Sequence, residues 1–476
     1  MPVNSFCGTD SVGLFKSGID DDYGITGDGK LRLTYDKESI YIQPTMTCLL
    51  YNVLLCIAAF FFIPFFLVKI LCTGKYRKSI GPKFGRIPQS VFDEMKGSPR
   101  IWIHAVSVGE VTAAAPIIGS LRNIYPEACI VLSTSTETGQ EMAHRLVPEA
   151  TAHIYYPLDI PFVVRKIIDR VNPDIFVPVE TEIWPNFIRI CSDRGIKIAM
   201  VNGRISPRSF RRYKKTKFFW KRIMNMIEAI GAISMVDSSR LEALGVEPSK
   251  ITVMGNAKYD SLATGVDDSL KDEMETKLDI PSQAAVLVAG STHEGEEDVV
   301  LTAYRSLITK YPDMLLIIVP RHPERGDALL SLARDKGFDD CVMMSEINSG
   351  GKRAGRRIVI VDVIGELFKV YSLATIVFCG GSLVPRGGQN ILEPAAWGKV
   401  VLYGPSMEDF MDERERLETA GGGITVSDGS ELLVEILNLM EDTETLRIKG
   451  GAGREMVASN TGAARRYAEM IRDHLP

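Results

Sequence analysis

The sequence lacks the groupings of histidine and cysteine with which proteins usually bind a structural metal. Its six histidines show no ligand spacing, and its eight cysteines are scattered along the chain. Several cysteines stand in apolar runs, as Cys129 does within residues 128–132, which is typical of buried, reduced thiols. We therefore expect neither a zinc site nor a framework of disulfides.

Two signatures of nucleotide-dependent enzymes are missing as well. No Gly-x-x-x-x-Gly-Lys-Ser/Thr loop is present, which disfavours a P-loop ATPase. The Asp-x-Asp pair, Asp20 to Asp22, lies ahead of an apolar segment and far from the other candidate residues. We therefore expect no metal at a nucleotide, with Arg, Lys and helix N-termini supplying the positive charge. A net charge of -5 without a basic block also disfavours nucleic acid as a partner.

An uncharged apolar run extends from Met46 to Val68 near the N-terminus. A transmembrane helix needs about 20 such residues, and no small-residue cleavage pattern follows this run. Basic residues begin at Lys69, so the positive-inside tendency places the rest of the chain in the cytoplasm. We predict a transmembrane anchor over residues 46–72. A buried core helix is the alternative, because Pro64 lies within the run.

After the apolar run, strand-like segments alternate with amphipathic ones, which indicates βα units around parallel sheets. We predict a first doubly wound domain over residues 79–262, a second over 263–462, and a helix over 463–476 that packs back across both. Residues 1–45 are polar and without pattern, and we interpret them either as disordered or as an extension ahead of a true start at Met46. The expected fold class is α/β, with two Rossmann-like domains facing a cleft.

Three groups of polar residues follow predicted strands of the first domain. Glu110 ends the stretch His-Ala-Val-Ser-Val-Gly-Glu and could take a proton from an attacking hydroxyl group. The same glutamate forms a capping box with Ser107, so a structural role explains it equally well. Glu180 and Glu182 are either site acids or ordinary acids at the start of a helix. Lys258 could stabilise a departing phosphate, or it could simply be solvated.

The second domain adds further turns between predicted strands and helices. They are Gly290–Glu297, Pro320–Arg325, Asp362–Glu366, Gly380–Ser382 and Gly387–Glu393. Glycine-rich turns let a phosphate approach backbone N–H groups, and Arg321 could form paired hydrogen bonds with phosphate oxygens. We expect Asn390 and Glu393 either to bind ribose hydroxyl groups or to cap the helix that follows. Several such turns at one sheet edge indicate a nucleotide site.

Together these motifs resemble the Kdo transferases, which attach 3-deoxy-D-manno-octulosonic acid (Kdo) to a lipid A precursor in Gram-negative bacteria. The similarity runs from about Met46 to the C-terminus. It implies a GT-B glycosyltransferase fold with an acceptor-binding first domain and a donor-binding second domain, preceded by an N-terminal transmembrane helix. It also implies an inverting transfer from CMP-Kdo without metal or cofactor, in lipopolysaccharide core biosynthesis. The implied location is the bacterial inner membrane, with a single span and cytoplasmic catalytic domains.

The resemblance also implies roles for individual residues. Glu110 matches the general base of the family, and Glu180 and Lys258 match residues that stabilise the transition state. The residues implied to bind CMP are Pro320, Arg321, Ile364, Gly365, Glu366, Asn390, Ile391, Leu392 and Glu393. The chain departs from the usual family residues at Val363, Gln389 and Ile391. Two alternatives stay open: a membrane-tethered GT-B transferase or epimerase that uses a UDP-sugar, and a nucleotide-binding module without catalysis.

Overall fold

In the computed structural model, which describes residues 49–57, 60–61, 77–281 and 283–475, apolar runs form two seven-stranded sheets. The strands of the first sheet are β1 (Arg100–His104), β2 (Cys129–Thr134), β3 (Ala152–Tyr155), β4 (Ile175–Pro178), β5 (Lys197–Gly203), β6 (Ala229–Ala232) and β7 (Ile251–Val253). Those of the second are β8 (Val286–Thr292), β9 (Leu315–Pro320), β10 (Cys341–Met343), β11 (Ile358–Ile360), β12 (Ile376–Cys379), β13 (Val400–Tyr403) and β14 (Gly423–Thr425).

Helices cover both faces of each sheet, which is why the inner strands are apolar throughout. In the first part of the chain they are α1 (Arg77–Lys83), α2 (Gln89–Asp93), α3 (Val108–Ile124), α4 (Glu137–Leu146), α5 (Pro161–Val171), α6 (Pro185–Asp193), α7 (Pro207–Lys215), α8 (Lys217–Met224), α9 (Met235–Leu244), α10 (Lys258–Gly265) and α11 (Asp268–Leu278). They continue with α12 (Glu296–Lys310), α13 (Gly326–Asp335), α14 (Met344–Asn348), α15 (Leu367–Leu373), α16 (Leu392–Ala396), α17 (Met411–Ala420), α18 (Gly429–Glu441), α19 (Thr443–Ser459) and α20 (Ala463–Asp473). Residues 49–57 are also helical.

The order of the strands determines where each sheet can bind a ligand. The first sheet runs β3-β2-β1-β4-β5-β6-β7 and the second β10-β11-β9-β8-β12-β13-β14, with parallel pairing throughout. The direction in which successive strands are added to the sheet therefore reverses between β1 and β4 in the first sheet and between β8 and β12 in the second. A crevice forms at the carboxyl ends of the strands at such a reversal. Glu110 follows β1 and Glu180 follows β4, so both lie beside the first crevice.

The C-terminal helix α20 returns to the first domain. Tyr467, Ala468 and Ile471 are buried in the same core as the inner side of α3. The carboxylate of Asp260 accepts hydrogen bonds from the backbone N–H groups of Gly462 (2.7 Å) and Ala464 (3.3 Å). The helix predicted over 463–476 is therefore present, but the expectation that it packs across both domains was wrong, because its apolar face completes the first core.

The two predicted α/β domains are confirmed, because each contains a parallel sheet covered by helices. The predicted anchor over 46–72 lies largely outside the described residues, as do residues 1–45. Within the described ranges, no helix combines the length and the apolar character that a membrane span requires.

Candidate active site

A cleft with a volume of about 1220 Å³ separates the carboxyl edges of the two sheets. Glu110, Glu180 and Lys258 line it from the first domain, and Arg321 lines it from the second. Four residues predicted from separate motifs therefore face one space. Of the other residues predicted for CMP, Pro320 ends β9 and the rest follow β11 and β12 at the same sheet edge, but they are not part of the lining of this cleft.

Glu110 lies in the first turn of α3, and the predicted capping box with Ser107 forms. Its carboxylate accepts hydrogen bonds from the backbone N–H groups of Val106 and Ser107, the latter at 3.1 Å. The Ser107 hydroxyl donates to the other carboxylate oxygen at 3.2 Å. Burial and then the charge of Glu180 raise the pKa of Glu110, although the hydrogen bonds from residues 106 and 107 oppose this shift. A fixed carboxylate with a raised pKa is suited to general-base chemistry, so the two interpretations of Glu110 are compatible.

Glu180 and Lys258 form an ion pair across the first crevice. The Lys258 Nζ lies 2.8 Å from Glu180 Oε1. Glu180 has a φ of 59°, in the left-handed region that residues other than glycine seldom adopt, and its N–H donates to the Val201 carbonyl at 2.9 Å. Asn202 holds the backbone next to Lys258 in place, because its side-chain oxygen accepts a hydrogen bond from Ala257 N at 2.9 Å. Backbone strain of this kind is concentrated at functional sites.

Glu182 is a third carboxylate on the same wall of the cleft. Burial, followed by the negative charges of Glu110 and Glu180, raises the pKa of Glu182 to about 7. Unlike Glu180, it forms no ion pair within the described residues. A large fraction of Glu182 is therefore protonated at neutral pH, which reduces the repulsion among the three acids.

On the opposite wall, Arg321 follows β9 and its N–H donates to the Thr292 carbonyl at 2.9 Å. Asn390 and Glu393, which follow β12, form a hydrogen bond with each other, in which Asn390 Nδ2 donates to Glu393 Oε1 at 3.0 Å. Asn390 Oδ1 also accepts from Leu392 N at 3.2 Å, so the capping interpretation of this pair has direct support. Burial raises the pKa of Glu393 to about 7, whereas the Asn390 hydrogen bond and the Arg321 charge lower it.

The turn at residues 364–366 lies where the first domain approaches the second. Gly365 has a φ of 92°, and a Cβ there would lie 2.6 Å from Arg145 Nη1 of α4. Ile364 is 84% exposed, and the Glu366 carboxylate is 3.3 Å from Lys277 Nζ. A side chain at this position would be strained by the positive φ, and the guanidinium group from the other domain would have to move aside.

One predicted phosphate turn is already occupied by the chain itself. The buried carboxylate of Glu296 accepts hydrogen bonds from the backbone N–H groups of Gly381 (2.7 Å), Ser382 (3.0 Å) and Leu383 (2.9 Å). The prediction that the Gly380–Ser382 turn presents its N–H groups to a phosphate was therefore wrong. Clustered N–H groups do attract an anion, but here α12 supplies it.

A basic wall of the cleft was not predicted. Arg204, Arg208, Arg211 and Arg212, which precede and form α7, line the cleft beside the acids. None of these four arginines forms an ion pair within the described part of the chain. The run Pro-Arg-Ser-Phe-Arg-Arg-Tyr-Lys-Lys after β5 was the available signal. Within the same described residues, no cluster of His, Cys, Asp and Glu side chains is arranged to hold a metal ion.

Comparison with known proteins places this geometry in context. Residues 78–261 match the family model described as 3-deoxy-D-manno-octulosonic-acid transferase (kdotransferase). The chain is 33% identical over 410 residues to the 3-deoxy-D-manno-octulosonic acid transferase of Haemophilus influenzae, covering 84% of this chain and 92% of that protein. The enzyme of the same name from Chlamydophila psittaci is 31% identical, with 83% and 89% covered. A glycosyltransferase structure from Rickettsia africae superposes with a TM-score of 0.52 at 18% identity, covering 79% of this chain and 98% of that one, which shows a shared GT-B-like fold.

Because the pKa of Glu182 is raised, we expect the stability of the folded protein to depend on pH. Its pKa is about 7 in the folded protein and near 4.5 when unfolded, so the folded state binds more protons between these values. Its contribution to stability is thus greatest below pH 4.5 and is lost as the pH rises through 7. We expect Glu182→Gln to be more stable than the wild type at pH 8, with the difference shrinking towards pH 5, as measured by urea unfolding. A difference that does not change with pH would contradict this assignment; the exposed Glu127→Gln is the control.

Proposed function

Because the chain belongs to the 3-deoxy-D-manno-octulosonic acid transferase family of glycosyltransferases, we propose that it transfers Kdo from CMP-Kdo to a lipid A precursor in lipopolysaccharide biosynthesis. One observation carries this proposal. Glu110 and Arg321, from opposite domains, line the same cleft. A base for the acceptor and a cation for the donor thus face each other across a space large enough for both substrates.

In the proposed reaction, Glu110 takes the proton of an acceptor hydroxyl group while the oxygen of that hydroxyl group forms a bond to C2 of the sugar. The bond from C2 to the phosphate oxygen breaks on the other side, and its electron pair leaves with CMP. Attack opposite to the leaving group inverts the configuration at C2. Arg321 and Lys258 stabilise the phosphate, and each well-placed donor of this kind contributes about 3 kcal/mol to the transition state. We propose that these cations act without a metal.

We also propose that the enzyme works at the cytoplasmic face of the bacterial inner membrane. The helix at residues 49–57 and the pair after it carry an apolar surface that is about half or more exposed, comprising Leu49, Leu50, Val53, Leu54, Ile57, Phe60 and Phe61. Phe162 and Phe218 add exposed aromatic rings on the first domain. The exposed basic residues of α7 and α8 would be attracted to anionic lipids. A membrane surface accounts for this combination.

The donor preference tests the proposal directly. The purified full chain would be incubated with a lipid A precursor and either CMP-Kdo or a UDP-sugar, with and without EDTA, and the lipid product analysed by mass spectrometry. We expect a mass increase with CMP-Kdo alone, unchanged by EDTA, because guanidinium and ammonium groups supply the positive charge. A product formed only from a UDP-sugar would overturn the proposed donor, and loss of activity in EDTA would overturn the metal-independent step.

Replacing the proposed base tests the mechanism. We expect Glu110→Gln to reduce kcat by about 100-fold or more, since an amide cannot accept the acceptor's proton. CMP affinity, measured by calorimetry, should stay near the wild-type value because Glu110 belongs to the other domain. Glu137→Gln, a glutamate in the first turn of the neighbouring helix α4, serves as the matched control. Full activity of the Glu110 variant would remove this residue from its role.

A further inference from the structure

A polar junction lies beneath the loop that carries Glu180 and Glu182. This loop ends where α6 begins, and the residue at the N-cap is Trp184, whose side chain has no oxygen with which to accept a hydrogen bond. Asp159, from the connection between β3 and α5, supplies the missing acceptor. Its carboxylate accepts hydrogen bonds from the backbone N–H groups of Asn186 (3.0 Å) and Phe187 (2.8 Å). A distant residue therefore caps the helix that terminates the acidic loop.

The same carboxylate binds the N-terminal helix. The Tyr51 hydroxyl donates to Asp159 Oδ2 at 2.9 Å, and the ring of Tyr51 lies 5.9 Å from that of Phe219. Next to it, the side-chain amides of Asn52 and Asn186 bind each other reciprocally, at 2.7 and 3.2 Å. Asn186 Nδ2 also donates to the Asp159 carbonyl at 2.7 Å. Residues 49–57 are thus bound to the start of α6 by hydrogen bonds with defined directions.

Burial makes this junction sensitive to the loss of any partner. Asp159 and Asn186 are only 3% and 1% exposed, so water does not replace a missing donor easily. The other end of the loop is fixed separately, because Glu180 N donates to the Val201 carbonyl and the Thr181 hydroxyl donates to the Arg204 carbonyl. The sheet therefore holds the beginning of the loop, and Asp159 with its partners holds the end.

We propose that Tyr51 and Asp159 are positioning residues, through which the docked N-terminal helix fixes the acidic loop in the geometry that transfer requires. This inference rests on the proposed transfer reaction, since it concerns the placement of Glu180 and Glu182 in the same cleft. The helix at residues 49–57 then has two roles: its apolar side faces outward, and its polar side sets the catalytic wall. Engagement of the N-terminal helix and activity are consequently coupled.

The test compares two substitutions of the same kind in the full chain. Tyr51→Phe keeps the ring and removes only the hydroxyl that Asp159 accepts. Tyr304→Phe is the matched control, because Tyr304 also donates a short buried hydrogen bond (2.7 Å, to the Met314 carbonyl) but lies in the second domain, away from the cleft. We expect Tyr51→Phe to lower kcat about tenfold with an unchanged KM for CMP-Kdo, because the loop shifts while the donor wall does not. Tyr304→Phe should keep the wild-type kcat.

A second variant and a second measurement separate positioning from general destabilisation. Asp159→Asn leaves one of the donors without an acceptor, so we expect a larger loss of kcat, and the double variant with Tyr51→Phe should be no worse than Asp159→Asn alone. Hydrogen–deuterium exchange should rise in residues 180–188 of the Tyr51 variant and not in the control. Wild-type kcat in Tyr51→Phe, or an equal loss in Tyr304→Phe, would overturn the inference. If the wild type itself made no product from CMP-Kdo, the proposed function would fail instead.

Discussion

Parallel pairing constrains every strand of a sheet to end at the same edge, and the arrangement of this molecule follows from that constraint. Because β1 and β4 are neighbours, Glu110 and Glu180 must emerge side by side although they are far apart in sequence. Lys258 reaches the same place from the end of β7 through the turn that Asn202 supports. The second sheet obeys the same rule, so the turns that were predicted to bind a nucleotide lie together at its carboxyl edge.

The crowding of acids at one edge has an electrostatic consequence. Glu180 is neutralised by Lys258, whereas Glu110 is held by hydrogen bonds from residues 106 and 107. Glu182 forms no ion pair within the described residues, and burial together with the charges of Glu110 and Glu180 raises its pKa to about 7. The three carboxylates on one wall thus have different partners. The facing wall contributes the Arg321 guanidinium, which suits the proposed reaction, in which a proton is taken on one side and a phosphate is released on the other.

The sequence predicted the features that depend on local pattern. Alternating strands and amphipathic helices predicted both α/β domains, and the motifs after β1, β4, β7 and β9 predicted that Glu110, Glu180, Lys258 and Arg321 would meet. What it did not predict depends on contacts between distant segments. Nothing near Gly381 indicates that Glu296 fills its turn, and nothing near Trp184 indicates that Asp159 caps α6. The packing of α20 into the first core was missed for the same reason.

We propose that donor and base meet across the cleft, and a structure of the Glu110→Gln protein with CMP-Kdo bound would measure this directly. We expect a phosphate within hydrogen-bonding distance of the Arg321 guanidinium, with C2 of the sugar exposed towards the side chain at position 110. A donor bound away from Arg321, or with its phosphate between C2 and position 110, would contradict it.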